Sequence, residues 1–223
     1  MRRLAFALFT AAAVLGACTQ SKSGHSSDDH HDAAAAAHQI MLETGEVSVQ
    51  DGLDAWTRVN EVLVHPRCAN CHVGDDNTPM WTINGETTAR PHGMNIDAGI
   101  SRIGAETLVC STCHMTSDAP NTVPHAAPHA AIPWQLAPVE FVWFGKSSAE
   151  NCAQLKDPER NGGRDAEGLI EHLIHDADIG GFVAWGWVPG GDREPAPGTY
   201  EDHLMDVAMW GAAGQPCPEI AER

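Results

Sequence analysis

Cys68-Ala69-Asn70-Cys71-His72 and Cys110-Ser111-Thr112-Cys113-His114 are two copies of one pattern, C-x-x-C-H, and they use four of the seven cysteines in a chain of 223 residues. Two thiols three positions apart can each add across one vinyl group of the same porphyrin, while the next residue presents an imidazole to the iron. The pattern predicts two covalently attached haem c groups, held by Cys68, Cys71, Cys110 and Cys113, with His72 and His114 as the proximal iron ligands. A thiol redox pair or half of a zinc site is the competing chemistry for any C-x-x-C. A zinc ribbon, however, has no use for a trailing histidine in both copies.

The N-terminus gives the compartment. Met1-Arg2-Arg3 is a short basic region, residues 4–17 are apolar but too few to span a bilayer, and Leu15-Gly16-Ala17-Cys18 matches a bacterial lipoprotein box. Residues 1–17 are expected to be a signal peptide and Cys18 the lipid-bearing first residue, with an ordinary signal peptide as the alternative. Thr19, where Asp would mark inner-membrane retention, favours a periplasmic protein anchored to the outer membrane. Cys152 and Cys217 then remain, and an even remainder in an oxidising compartment predicts a disulfide between them.

Of the 13 basic residues Arg2 and Arg3 lie in the leader, leaving 11 against 30 acidic side chains, a formal charge of −19. Such a balance excludes nucleic acid as a natural partner and suits docking to a basic redox partner. Residues 18–40, with His25, His30, His31 and His38 among Ser, Asp and Ala, lack apolar periodicity and read as a flexible tether. A metal-binding histidine tract is the sharper alternative there.

Residues 41–223 read as a single domain. Trp56, Val59, Val62 and Leu63 recur at helical spacing up to the first motif, with Asp51 as a candidate cap. Only 38 residues separate Cys71 from Cys110, too few for tandem complete cytochrome domains, so both haems must share a core. Residues 117–139 are rich in Pro, Ala and His and read as an extended wrap. Three short helices follow: 148–156 opened by the Ser147 and Glu150 capping box, 165–176 opened by Asp165, and 200–210 opened by Thr199 and Asp202. Strand signal is weak throughout. The expected fold is mainly α with extensive loop, a compact dihaem cytochrome c-like domain of short helices wrapped around two covalently bound haems. Trp134, Trp143, Trp185, Trp187 and Trp210 fit either against porphyrin or in the core.

The runs Trp134-Gln135-Leu136-Ala137-Pro138, Phe144-Gly145-Lys146-Ser147, Cys152-Ala153-Gln154-Leu155-Lys156-Asp157-Pro158, Asn161-Gly162-Gly163 and Trp185-Gly186-Trp187-Val188-Pro189-Gly190 carry a resemblance. Over about residues 62–218 the chain resembles small bacterial periplasmic dihaem proteins labelled isoquinoline 1-oxidoreductase subunits. The resemblance implies electron transport, as an electron-accepting subunit or partner of a periplasmic molybdenum hydroxylase. Nothing in the sequence looks like a molybdopterin or iron–sulfur site, so hydroxylation itself is not expected here.

The sixth iron ligands decide the reduction potential, since a methionine thioether raises it and a second imidazole lowers it. For the first haem the candidates are Met80, His92 and Met94; for the second they are His125, His129, His172, His175, His203 and Met205. His92 is favoured for the first haem and His172 for the second, with Met94 and His125 as alternatives. Met115 adjoins His114 and cannot easily reach the opposite face. Both irons six-coordinate means electron transfer; one open iron means a haem enzyme, such as a peroxidase, which is the alternative function.

Overall fold

The computed structural model describes residues 27–42, 45–105 and 108–219. The leader 1–17, the lipidation candidate Cys18 and the first part of the tether lie outside them. Among the described residues the regular structure is mainly helical: α1 (Ser27–Leu42), α2 (Val49–Val64), α3 (Pro66–Ala69), α4 (Ser148–Lys156), α5 (Ala166–Asp178), α6 (Phe182–Trp185) and α7 (Tyr200–Ala212). The strands are two antiparallel pairs, β1 (Met80–Trp81) with β2 (Arg90–Pro91) and β3 (Gly104–Ala105) with β4 (Leu108–Val109). None of these helices is long and apolar enough to cross a membrane.

The core lies where α1, α2, α4, α5 and α7 meet. The apolar stripe of α2, Trp56, Val59, Val62 and Leu63, is buried against α7, where Trp56 meets Trp210 with ring centres 5.1 Å apart. Both indoles find acceptors, Trp56 on the Ser148 hydroxyl and Trp210 on the Pro216 carbonyl. Gly52 allows the C-terminal tail to reach this helix, since a β-carbon there would stand 2.4 Å from that of Ala213. The cap of α2 is Ser48, not Asp51: Asp51 occupies the third helical position, donating its amide to Ser48 and accepting that residue's hydroxyl. A serine three residues ahead of an acid is the stronger cap signature.

The later helices open as their sequences dictate. Ser147 with Glu150 and Thr199 with Asp202 form reciprocal capping boxes on α4 and α7, and Asp165 caps α5. Cys152 and Cys217 are joined, tying the tail to α4 across 65 positions.

The tether reading needs correction from Ser27 onward, where the chain is helical. Its alanines favour helix even without a broad apolar stripe. Ala34 and Ala37 are buried against α7 and α5. Close approach is possible because α7 carries Gly211, whose absent β-carbon would lie 2.8 Å from the Met41 sulfur. His30 and His38 sit beside Glu201 and Glu167 on those helices.

Between Ala69 and Ser147 the chain is mostly loop, organised by one buried cation. Arg102, with φ +61°, donates from its guanidinium to the carbonyls of Val73, Gly74 and Ala137 and to the Asn77 side chain, at 2.6–2.9 Å. Its own carbonyl accepts from Leu136. One side chain thus fastens the loop after the first motif to the segment that returns from the second, around a small apolar cluster of Val73, Ala98 and Leu136.

Closing a loop of this length lowers the entropy of the unfolded chain. Cys152→Ala with Cys217→Ala is expected to destabilise the protein by about 2–4 kcal/mol in a urea titration.

Candidate functional site

Each motif is a single tight turn. Helix α2 stops at His65, the residue before Pro66, which is driven out of helical geometry; α3 then starts a new turn carrying Cys68. The amides of Cys71 and His72 donate to the Cys68 carbonyl at 3.1 and 3.3 Å. At the second motif, which follows the β3–β4 pair, the amides of Cys113 and His114 donate to the Cys110 carbonyl at 3.2 and 2.9 Å. Different surroundings therefore produce one turn geometry twice.

The histidines repeat the likeness. Nδ1 of His72 is 2.9 Å from the Phe141 carbonyl, and Nδ1 of His114 is 2.8 Å from that of Pro128. A carbonyl only accepts, so the proton sits on Nδ1 in both rings and Nε2 carries the lone pair. Each ring also lies against an indole: Trp143 on His72 with centres 3.4 Å apart and planes 6° apart, Trp134 on His114 at 4.4 Å and 29°. The backbone of His72 is clamped as well, its carbonyl accepting from the amides of Trp143 and Phe144. Near His114, Asn121 exchanges two 2.9 Å hydrogen bonds with the backbone of His129 and so fixes the loop that supplies the Pro128 carbonyl.

Burial keeps these rings neutral. Burial lowers the His72 pKa to about 4, against the opposing effect of its bond to Phe141. Burial also lowers that of His114, with His92 adding to the effect. The thiols move the other way: burial pushes Cys68 up to about 12 and Cys71 up to about 11, and Cys110 is raised for the same reason. A redox dithiol needs a stabilised thiolate, so this environment opposes the thiol-exchange alternative. Cys110 is also close enough to Cys71 to raise its pKa further, which brings the two motifs together in space.

The surroundings fit a porphyrin. The indole N–H groups of Trp134, Trp143 and Trp185 are buried without a hydrogen-bond acceptor in the protein, and a group bearing carboxylates matches such donors. Large apolar side chains are exposed through the segments bordering the motifs, among them Met94, Ile100, Met115 and Val123 at 62–91%.

The other histidines and methionines are distributed unequally. His92 lies beside the second motif, its ring centre 6.0 Å from that of His114. His172, on α5, is near enough to His72 to depress its pKa. Met80 packs on the small cluster beside Cys71, whereas Met94 is 78% exposed. His125 is exposed and pairs with Asp192; His203 is buried against Trp187. His129 is half-buried with Nδ1 3.3 Å from the Ser117 carbonyl, and His175 is exposed in the last turn of α5. Trp187 and Trp210 belong to the core, so of the five late tryptophans only Trp134 and Trp143 stack on the motif histidines, with Trp185 edge-on to Trp134. The supporting carbonyls carry no sequence signal, because Phe141 lies 69 positions after its histidine and Pro128 only 14.

The thiol environment has a direct test. In reduced chain made without haem attachment, Cys68 should alkylate at least about a hundredfold more slowly at about pH 8 than an exposed cysteine; fast alkylation would indicate an exchange-active pair. Compared with known proteins, the chain matches no family model, no curated protein and no solved structure.

Proposed function

We propose that this protein is a dihaem c-type cytochrome that carries electrons in the bacterial periplasm, anchored through lipid on Cys18. The observation that carries the reading is the duplicated geometry of the motif histidines: in each, Nδ1–H is held by a backbone carbonyl, Nε2 keeps its lone pair, and an indole supports the ring. Metal-ligating histidines are oriented by such a bond on their other nitrogen. When bound, haem supplies a one-electron iron couple. Cys68 and Cys71, and Cys110 and Cys113, hold it through thioethers, while His72 and His114 donate to the iron.

The chain's own work is to hold those donors in place. Stacking under Trp143 and Trp134 limits rotation of each ring, and the low-dielectric surroundings keep both imidazoles unprotonated. The proximity of Cys71 and Cys110 favours exchange between the two haems over two isolated sites. The excess of acidic residues favours docking to a basic partner. From the resemblance, that partner is a periplasmic molybdenum hydroxylase, whose electrons this protein would accept.

Mixing the oxidised holoprotein with a substrate-reduced periplasmic molybdenum hydroxylase should reduce both haems. The second-order rate should fall several-fold between about 0.01 and about 0.5 M salt as the acidic face is screened. A stable high-spin iron that turns over peroxide would replace electron transfer with the peroxidase reading.

A further inference from the structure

We propose that His92 is the sixth ligand of the iron at the second motif, opposite His114, so that the segment between the motifs folds back to close the haem that follows it. The inference rests on the dihaem reading above and adds the identity of a ligand and the haem to which it belongs.

Distance is the first support. An imidazole bound through nitrogen at about 2 Å places its ring centre about 3 Å from a metal, so two imidazoles on opposite sides of one ion stand about 6 Å apart. The rings of His92 and His114 are 6.0 Å apart, centre to centre, with planes inclined at 55°. Trans ligands can rotate independently about their common axis, so the inclination is permitted.

The tautomer is the second. Nδ1 of His92 is 2.9 Å from the Gly93 carbonyl, which places the proton on Nδ1 and leaves the lone pair on Nε2. Neutral His92 thus takes the same tautomer as both motif histidines. It is also held in place: its amide donates to the Pro79 carbonyl, and the β1–β2 pair just before it is pinned by Trp81 donating to the Pro91 carbonyl. Beyond it, Met94 and Asn95 both adopt positive φ, giving a sharp turn that leaves Met94 exposed.

The competitors at the second motif are worse placed. His125 is directed to Asp192, and Met115 is exposed next to His114 itself. His129 follows the carbonyl that holds Nδ1 of His114, which puts it at the Nδ1 side of that ring.

Near-infrared magnetic circular dichroism of the holoprotein counts low-spin haems, and the pyridine haemochrome counts covalent haems whatever their axial ligands. Wild type should have two of each. His92→Ala, His114→Ala and the double variant should each retain one low-spin haem, because both residues serve the same iron; this holds even where loss of His114 prevents attachment at that motif. No low-spin haem in the double variant would assign His92 to the first haem and overturn the proposal. Two low-spin haems in His92→Ala would overturn it as well. Should His92→Ala fail to accumulate, His92→Met decides: a new thioether-to-iron charge-transfer band on one haem is expected, and an unchanged spectrum contradicts the ligand. A wild-type chain without covalent haem would instead remove the dihaem reading itself.

Discussion

A hydrogen bond from Nδ1–H to a backbone carbonyl fixes the chemistry of both motif histidines, at Phe141 for His72 and at Pro128 for His114. It selects the tautomer, orients the ring and leaves one lone pair to give away. Two side chains help to bring those carbonyls into place. Arg102 joins the chain after the first motif to the segment at Ala137, and Asn121 fixes the turn around Pro128. Because a buried guanidinium is costly without partners, its four oxygen acceptors make this arrangement specific as well as stable.

The helical core and the loop-rich site divide the work. Helices α1, α2, α5 and α7 bury the large apolar side chains. The motifs sit at the margin of that core, one at the end of α2 and the other on a two-strand hairpin. Cys68, Cys71 and Cys110 are raised in pKa and both motif imidazoles lowered, which suits neutral donors better than exchange-active sulfur. Trp143 and Trp134 extend the same design by stacking on the rings.

Features encoded within a few residues were readable from the sequence alone. The C-x-x-C-H turns, the Ser147 and Thr199 capping boxes, the Asp165 cap and the parity that leaves Cys152 with Cys217 are of this kind. The cap at Ser48 was displaced by one turn because Asp51 has both roles available to it, cap and third-position partner. The alanine-rich stretch reads as tether because its packing depends on a small-residue surface of α7 that no local pattern announces. The position of His92 beside His114 has the same origin: it depends on how the segment between the motifs returns, and Arg102, which anchors that return, looks like any other surface arginine in the sequence.

Covalent attachment of haem at the twin turns is the central proposal, and the mass of the denatured chain tests it most directly. Protein from cells with working cytochrome c maturation should carry the mass of the mature polypeptide plus two haems after complete unfolding, and Cys68, Cys71, Cys110 and Cys113 should all resist alkylation. A polypeptide mass without haem, with those four thiols free to react, would contradict the assignment of both motifs.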